Sequence, residues 1–454
     1  MIILPDTPPL AESLTFRTGA LNPQLISTRA SLVTTTTRNN NELVRDIVKL
    51  EQYLEELFKY ARIESGSNEM SKILQFCCNY VISDSGEVPW TNIIVDTTGE
   101  IKKKIFGKVL NKYKDTHIQW SLLNEIEAVI ISTSLIYTKL GSVLINELIE
   151  IDPTSESNDE TNEKWKQVTN YYKKSSSFLS FGKKVSAYLD LGSMYFNSLV
   201  YSLLDKINNV CIQMSILSKS SWINRNYYNE TESFKTKNNG TLSKVAIYVI
   251  TELRDCQSMS FNLHTHQGVT INLQYAKWKE YLSIIEKYAI AYASLFLSIE
   301  KYQQDSIGQA IGLINFGLLS LQSKNLNEVN PKQGKLLTKF KSKVSARKNE
   351  QYIKDLQSIT TLNIDKSVFQ ESSGIILKDL TFLFDQLIQL HLKFTKENNN
   401  IKFDTISAWQ DIDKDSKWPL GSSIPSSSVK SYEPFGDSLS SNARDEYSGR
   451  GAYY

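Results

Sequence analysis

Residues 271–321, INLQYAKWKEYLSIIEKYAIAYASLFLSIEKYQQDSIGQAIGLINFGLLSL, read as two long helices joined by one tight turn. In the first half Leu282, Ile285, Ala289, Tyr292, Ala293, Phe296 and Ile299 recur at spacings of three and four, which places them on one helix face. Ile307, Ala310, Ile311, Ile314 and Leu318 continue the pattern beyond the polar turn. Such a pair cannot bury its apolar faces alone and has to pack on further helices, which is the logic of tetratricopeptide-like arrays. Arrays of this kind build binding surfaces more often than active sites.

The same periodicity extends in both directions. Residues 41–63 carry Leu43, Ile47, Leu50, Leu54, Leu57 and Ala61 on one stripe, with N-caps available from Asn39 to Asn41. Further helices are expected over about 68–83, 97–111, 118–150, 162–186, 190–222 and 239–262, and a strongly amphipathic last one over 375–395. Residues 1–40, rich in Thr, Pro and Asn, read as an extended leading segment with a strand or two. The acidic stretch 152–163 and the polar stretch 225–240 read as solvated connections between helices. One helical domain over 1–398 follows, with a Ser/Gly/Pro-rich flexible tail over 399–454. The tail is punctuated by Trp418, Tyr432, Phe435, Tyr447, Tyr453 and Tyr454, which is not the usual composition of an inert linker and leaves a short binding peptide as the minority reading.

Composition narrows the function. A chain of 454 residues is long enough for roughly three domains of about 150 residues, although helical arrays exceed that norm. Lys and Arg number 51 against 49 Asp and Glu, so no broad electrostatic footprint for nucleic acid exists. Cys77, Cys78, Cys211 and Cys256 are too few and too irregular for a disulfide framework, which suits a reducing cytosol. The N-terminus meets Pro5 before an apolar run develops, arguing against a secretory signal, and no stretch reads as the roughly 20 apolar residues of a membrane span.

Catalytic patterns are scarce. None of His117, His264, His266 and His391 sits in an HExxH, and the chain has no nucleophile elbow or phosphate loop. His264 and His266 lack a second ligand pair, so no metal or other cofactor is expected. Glu125 and Glu127, two apart on a helix, read as solvated positions. The run 335–348 carries six basic residues and no acid, a solvated face or a site for an acidic lipid or peptide. The 23 tyrosines read as packing between helical layers.

Five segments in succession resemble the BRO-one (ALIX-like) domain family. They are IQWSLLNEIEAVIISTSLIYTKLGSVLIN (118–146), WKQVTNYYKKSSSFLSFGKKV (165–185), DLGSMYFNSLVYSLLDKINNVCIQMSIL (190–217), GTLSKVAIYVITELRDCQSMSF (240–261) and the helix–turn–helix ending KYQQDSIGQAIGLINFGLLSL. The third segment departs from the family in having Cys211 and Ile212 where an aromatic pair is usual, and the segment around Tyr352 matches a later tyrosine-bearing strand only loosely. A compact domain with a short tail is most similar to the fungal PalC group of pH-response regulators. The resemblance implies a mainly α, elongated and curved BRO-type domain with a tetratricopeptide-like core and a few minor N-terminal strands. It implies a non-enzymatic adaptor of ambient-pH signalling that binds the amphipathic C-terminal helix of the ESCRT-III core subunit, with a pH-pathway membrane sensor complex and protease as further partners. The protein would be cytoplasmic and recruited to endosomal or cortical plasma-membrane sites. Carried over by segment, the partner-binding groove takes Ile212 and Met214 from the third segment and Leu242 and Val245 from the fourth; as apolar helical positions, all four equally suit a core. Two alternatives are a BRO-type ESCRT accessory factor in multivesicular-body cargo sorting, and an enzyme with a deep polar pocket.

Overall fold

The computed structural model describes residues 1–33, 40–96, 104–105, 108–109, 119–152, 158–187, 196–225, 238–265, 270–321, 374–412 and 418–435. It is mainly α. The helices are α1 (Pro23–Ser31), α2 (Asn40–Ser65), α3 (Met70–Asn79), α4 (Leu122–Glu150), α5 (Asn158–Ala187), α6 (Ser198–Asn224), α7 (Asn239–Thr265), α8 (Tyr275–Gln303), α9 (Ile307–Ser320), α10 (Gly374–Glu397) and the short α11 (Trp409–Ile412). A π-helical turn, Asn398–Lys402, closes α10. From α4 to α9 each helix packs on the next in sequence, while α10 lies across α9, α4 and α8, and α2 covers α4.

Local chemistry sets the helix starts. Asn22 caps α1 with its side chain on the Leu25 amide, and Pro23 follows at the first helical position, where its missing N–H costs nothing. Ser121 and Asn124 form a reciprocal capping box at α4, and Asn197 caps α6. The expected turn between α8 and α9 is present, with Asp305 in the left-handed region at φ 62° and the Ser306 amide returning to the Lys301 carbonyl at 2.9 Å.

Three two-stranded ribbons complete the fold: Val81–Ser83 with Trp120–Ser121, Ile94–Asp96 with Thr270–Asn272, and Lys104–Ile105 with Lys108–Val109, all antiparallel. The last of these stands where a helix was expected over 97–111, of which only these four residues are described. The β-branched Ile105 and Val109 favour a strand, a preference that apolar spacing alone misreads.

The leading segment is more than an extended lead-in. Met1 to Leu4 are buried, the Trp278 indole donates to the Pro5 carbonyl at 3.1 Å, and Ser132 donates to that of Pro9 at 2.7 Å. This threads the segment between α4 and α8 before α1 begins. Ala11 bridges Trp90, the one strand-like contact among the described residues of this segment.

Burial corrects two further expectations. Helices α4 and α8 are long and apolar enough to cross a membrane by length and composition, yet 83% and 78% of their most apolar windows are buried against the rest of the chain. Their apolarity serves the core. Glu125 and Glu127 are both completely buried instead of solvated, because α4 is enclosed on every side over its first turns. The basic run 335–348, Tyr352, His117 and His266 lie outside the described residues.

Candidate partner-binding face

The four apolar residues assigned to a groove lie on adjacent helices, Ile212 and Met214 on α6, Leu242 and Val245 on α7. Met214 and Val245 are fully enclosed, whereas Ile212 and Leu242 each keep 7% of their surface exposed. The first pair is core as the chain stands; the second pair reaches the surface of the α6–α7 layer.

The α5–α6–α7 layer is crossed by the chain itself. Residues 418–435, expected to be a flexible tail, run as an extended strap across the helices. Trp418 anchors its start, donating from the indole to the Ile412 carbonyl at 2.7 Å and meeting Phe316 of α9 edge-on at 5.8 Å. Gly421 then presses on α7: a Cβ at this position would stand 2.6 Å from the Tyr248 amide nitrogen. The Ser422 amide donates to the Lys244 carbonyl at 3.0 Å.

On α6 the Gln213 carboxamide, 1% exposed, brackets Ile424. Its Nε2 donates to the Ile424 carbonyl at 3.0 Å, and its Oε1 accepts from the Ile424 amide at 2.9 Å. On α5, Lys173 donates to the Ser427 hydroxyl at 2.7 Å, Ser177 donates to the Lys430 carbonyl at 2.7 Å, and the Tyr432 amide donates to the Ser177 carbonyl at 3.1 Å.

The strap ends in aromatic contacts. Tyr432 stacks on Phe178 with ring centres 4.6 Å apart and meets Phe181 edge-on at 5.4 Å. Phe435 meets Phe58 of α2 edge-on at 6.2 Å, beneath the Arg62 guanidinium at 5.1 Å. The tail's composition misled because the strap is held largely through its main chain. The aromatic punctuation at Trp418, Tyr432 and Phe435 was the legible signal.

The chain upstream of the strap is likewise placed. The Ser407 amide donates to the Gly308 carbonyl at 3.2 Å, and the Gly308 amide to Asp404 at 3.3 Å. The boundary expected near residue 398 therefore does not end the packed region among the described residues.

Two buried acids elsewhere sit in hydrogen-bonded networks. Glu127 accepts from the Phe196 amide at 3.3 Å and from the Tyr201 hydroxyl at 3.1 Å, and burial pushes its carboxyl up to about 8. Asp379 accepts from Tyr292 at 2.8 Å and Ser218 at 3.3 Å, and burial raises it to about 7 against the pull of nearby Arg225. His391 is held down at about 4 by burial. A cleft beside Ile2, Leu4, Ser134, Thr138 and Asn208 is only large enough for a water molecule. Its polar floor is already bonded: Thr138 donates to Asn208 at 2.7 Å, and Ser134 and Ser175 share a bond at 2.6 Å. Among the described residues no group of three metal-ligating side chains converges, and all four cysteines are free thiols.

Comparison with known proteins places the chain by sequence. The model of a family of unknown function, DUF5355, matches residues 120–454. The chain belongs to the DUF5355 family. The matched region of this DUF5355 protein begins at the ribbon before α4 and takes in the whole helical array, α10 and the strap. The curated proteins contain no match.

Among solved structures, the DUF5355 chain is similar to a Bro1 domain from work on endosomal targeting (11% identity, TM-score 0.44, covering 85% of this chain and 77% of the other). It is similar to ALIX in complex with the SIVmac239 PYKEVTEDL late domain (13%, 0.47, 93% and 46%), of which it spans about half the length. It is also similar to the BRO1 domain of ALIX in complex with CHMP4C (12%, 0.48, 90% and 85%).

Proposed function

We propose that this protein is a non-enzymatic BRO-type adaptor with a tetratricopeptide-like core, whose α5–α6–α7 face binds the amphipathic C-terminal helix of an ESCRT-III core subunit. The observation that carries the reading is the strap itself. This face already holds a chain segment, through a buried amide bracket at Gln213 and an aromatic shelf at Phe178 and Phe181. Stacked helices offer such grooves, and an amphipathic helix docks in them through apolar anchors at i, i+3, i+4 and i+7. The sequence resemblance of five segments in order adds the partner class, and the resemblance to the PalC group adds ambient-pH signalling as the pathway. Recruitment to endosomal or cortical membrane then follows from the partners, a sensor complex and a protease among them.

Calorimetric titration with a peptide of the ESCRT-III helix tests the reading. Saturable binding that Ile212→Asp or Leu242→Asp abolishes, with far-UV circular dichroism unchanged, is the expected result. Absence of binding by the wild-type chain and by the strap variants described below would overturn it.

A further inference from the structure

The strap crosses the α5–α6–α7 layer to which the proposed function assigns a partner. Its bonds on this layer are to the Gln213 carboxamide on α6, next in sequence to Ile212, and to the Lys244 carbonyl on α7, two residues on from Leu242. A helix docked over Gln213 and the Lys244 carbonyl would compete with the strap for that surface.

The strap's contacts are those of a ligand rather than of a core element. Residues 420–423 and 425–430 are exposed, Leu420 to 92%, and only Pro434 is buried outright. The surface beneath is different in kind: Phe178, Phe181 and Phe58 are almost wholly buried, and Tyr432 and Phe435 supply part of their cover. Six of the contacts that fix the strap, two at Ile424 and one each at Gly421, Ser422, Lys430 and Tyr432, involve its main chain. Main-chain recognition at Gln213 reads extended backbone and is indifferent to most side chains, as in peptide grooves that take the backbone for affinity and a few pockets for specificity. Tethering makes weak contacts sufficient, because a segment joined to its site through a short linker is present at an effective concentration in the millimolar range.

We infer that the α5–α6–α7 face is a peptide-binding groove and that residues 418–435 are its displaceable cis ligand, which the partner helix must expel in order to dock. This inference rests on the adaptor reading for the identity of the competitor and on the structure alone for the groove. It makes partner affinity a difference between two occupants of one site, so weakening the strap strengthens partner binding, by the same factor as long as the strap-bound state dominates.

The test uses the full chain with substitutions confined to the strap. Gly421→Val places a side chain against the Tyr248 backbone, and Tyr432→Ala with Phe435→Ala removes the aromatic anchors; neither alters a groove residue. A labelled synthetic peptide of residues 418–435 is titrated against wild type and both variants by fluorescence anisotropy, with circular dichroism confirming the fold. Saturable binding at least about tenfold tighter to the variants than to wild type is expected. A peptide that binds no folded variant, or binds all three proteins equally, overturns the inference.

The ESCRT-III helix is then added as competitor. Displacement of the labelled strap, with tighter helix binding by the variants than by wild type, supports gating. A helix that binds while the strap peptide stays bound overturns gating. A strap peptide that binds while the helix binds no protein upholds the groove and removes the proposed function, so the two failures are distinct.

Discussion

The Arg29 guanidinium lies directly against the Glu125 carboxylate, with both side chains sealed from solvent. Arg29 also donates to the carbonyls of Glu12 at 3.0 Å and Pro89 at 2.9 Å, while Glu125 accepts the indoles of Trp90 at 2.9 Å and Trp120 at 2.8 Å and the hydroxyl of Tyr53 at 3.3 Å. One ion pair thus ties together the leading segment, α1, α2, α4 and the loop before the Ile94–Asp96 strand. Removing one member of a buried, fully bonded pair leaves the other charge uncompensated, at a cost of about 3–5 kcal/mol. Arg29→Met is expected to lose stability in that range, and Arg29→Met combined with Glu125→Gln to regain part of it. Urea unfolding followed by tryptophan fluorescence reads both; a single-variant loss under about 1 kcal/mol would sink the argument.

That pair also shows where the sequence stops being readable. The α8–α9 unit was legible because its apolar residues repeat at helical spacing within a window of 50 residues, and each stripe needs only a neighbour. The limits of α7 and α10 followed from the same signal, while α6 begins at Ser198 and not at the expected 190, because Asn197 caps it. Glu125 and Glu127 were not legible, because what permits their burial comes from far along the chain: Arg29, Trp90 and Tyr53 for one, Phe196 and Tyr201 for the other. Pattern places an acid on a helix and cannot see its partners. The candidate site shows a second limit. Ile212 and Leu242 were identifiable as apolar helix positions, but Gln213 gains its meaning only from Ile424, more than 200 residues away, through main-chain bonds that leave no trace in composition.

Glu127 gives stability a pH dependence of definite sign. Its native carboxyl titrates at about 8 against a reference of 4.5, so between those values the folded chain keeps a proton that the unfolded chain has lost. Stability therefore falls as pH rises through that window. Asp379, raised to about 7, acts in the same sense, and His391, lowered to about 4 from 6.5, acts in the opposite sense between those two values. Comparison of Glu127→Gln with wild type isolates the one group. The two proteins should converge near pH 4.5, and the variant should be more stable at pH 8 by on the order of 1–3 kcal/mol. Parallel chemical-denaturation profiles across pH 5–8 would refute this.

Gly182 on α5 lies face to face with the Tyr201 ring on α6, and a Cβ there would overlap ring atoms. The ring has nowhere to go, being completely buried with its hydroxyl on Glu127. Gly182→Ala, which would gain about 1 kcal/mol in an exposed helix, is expected to lose about 1–3 kcal/mol here. Gly141→Ala is the internal comparison, since its Cβ would stand 3.0 Å from the Tyr172 ring and a small shift relieves it. A thermal melt in which the Gly182 variant equals or exceeds the Gly141 variant would show that the α5–α6 seam is softer than this packing implies.

Phe403 sits in the left-handed region at φ 58°, ψ 26°, with 74% of its surface exposed. A bulky residue in that conformation is strained by about 1–2 kcal/mol, and an exposed ring returns little in packing. Asn398 compels the turn: its carboxamide accepts from the Asp404 amide at 2.8 Å and donates to the Asp404 carbonyl at 3.0 Å, while its own carbonyl accepts the Phe403 amide at 2.8 Å. The reward lies further on, where residues 404–407 close over Gly308 and Gly312 so tightly that a methyl group at either glycine would collide with backbone oxygen. Phe403→Gly should therefore stabilise the protein, by about 0.5–1 kcal/mol once the added flexibility of the unfolded chain is subtracted. Asn398→Ala should destabilise it by about 1–3 kcal/mol through the unpaired amide and carbonyl it leaves behind. Opposite signs in the two denaturation midpoints are the signature; a destabilised Phe403→Gly would mean that the ring contributes more in its exposed position than the left-handed backbone costs.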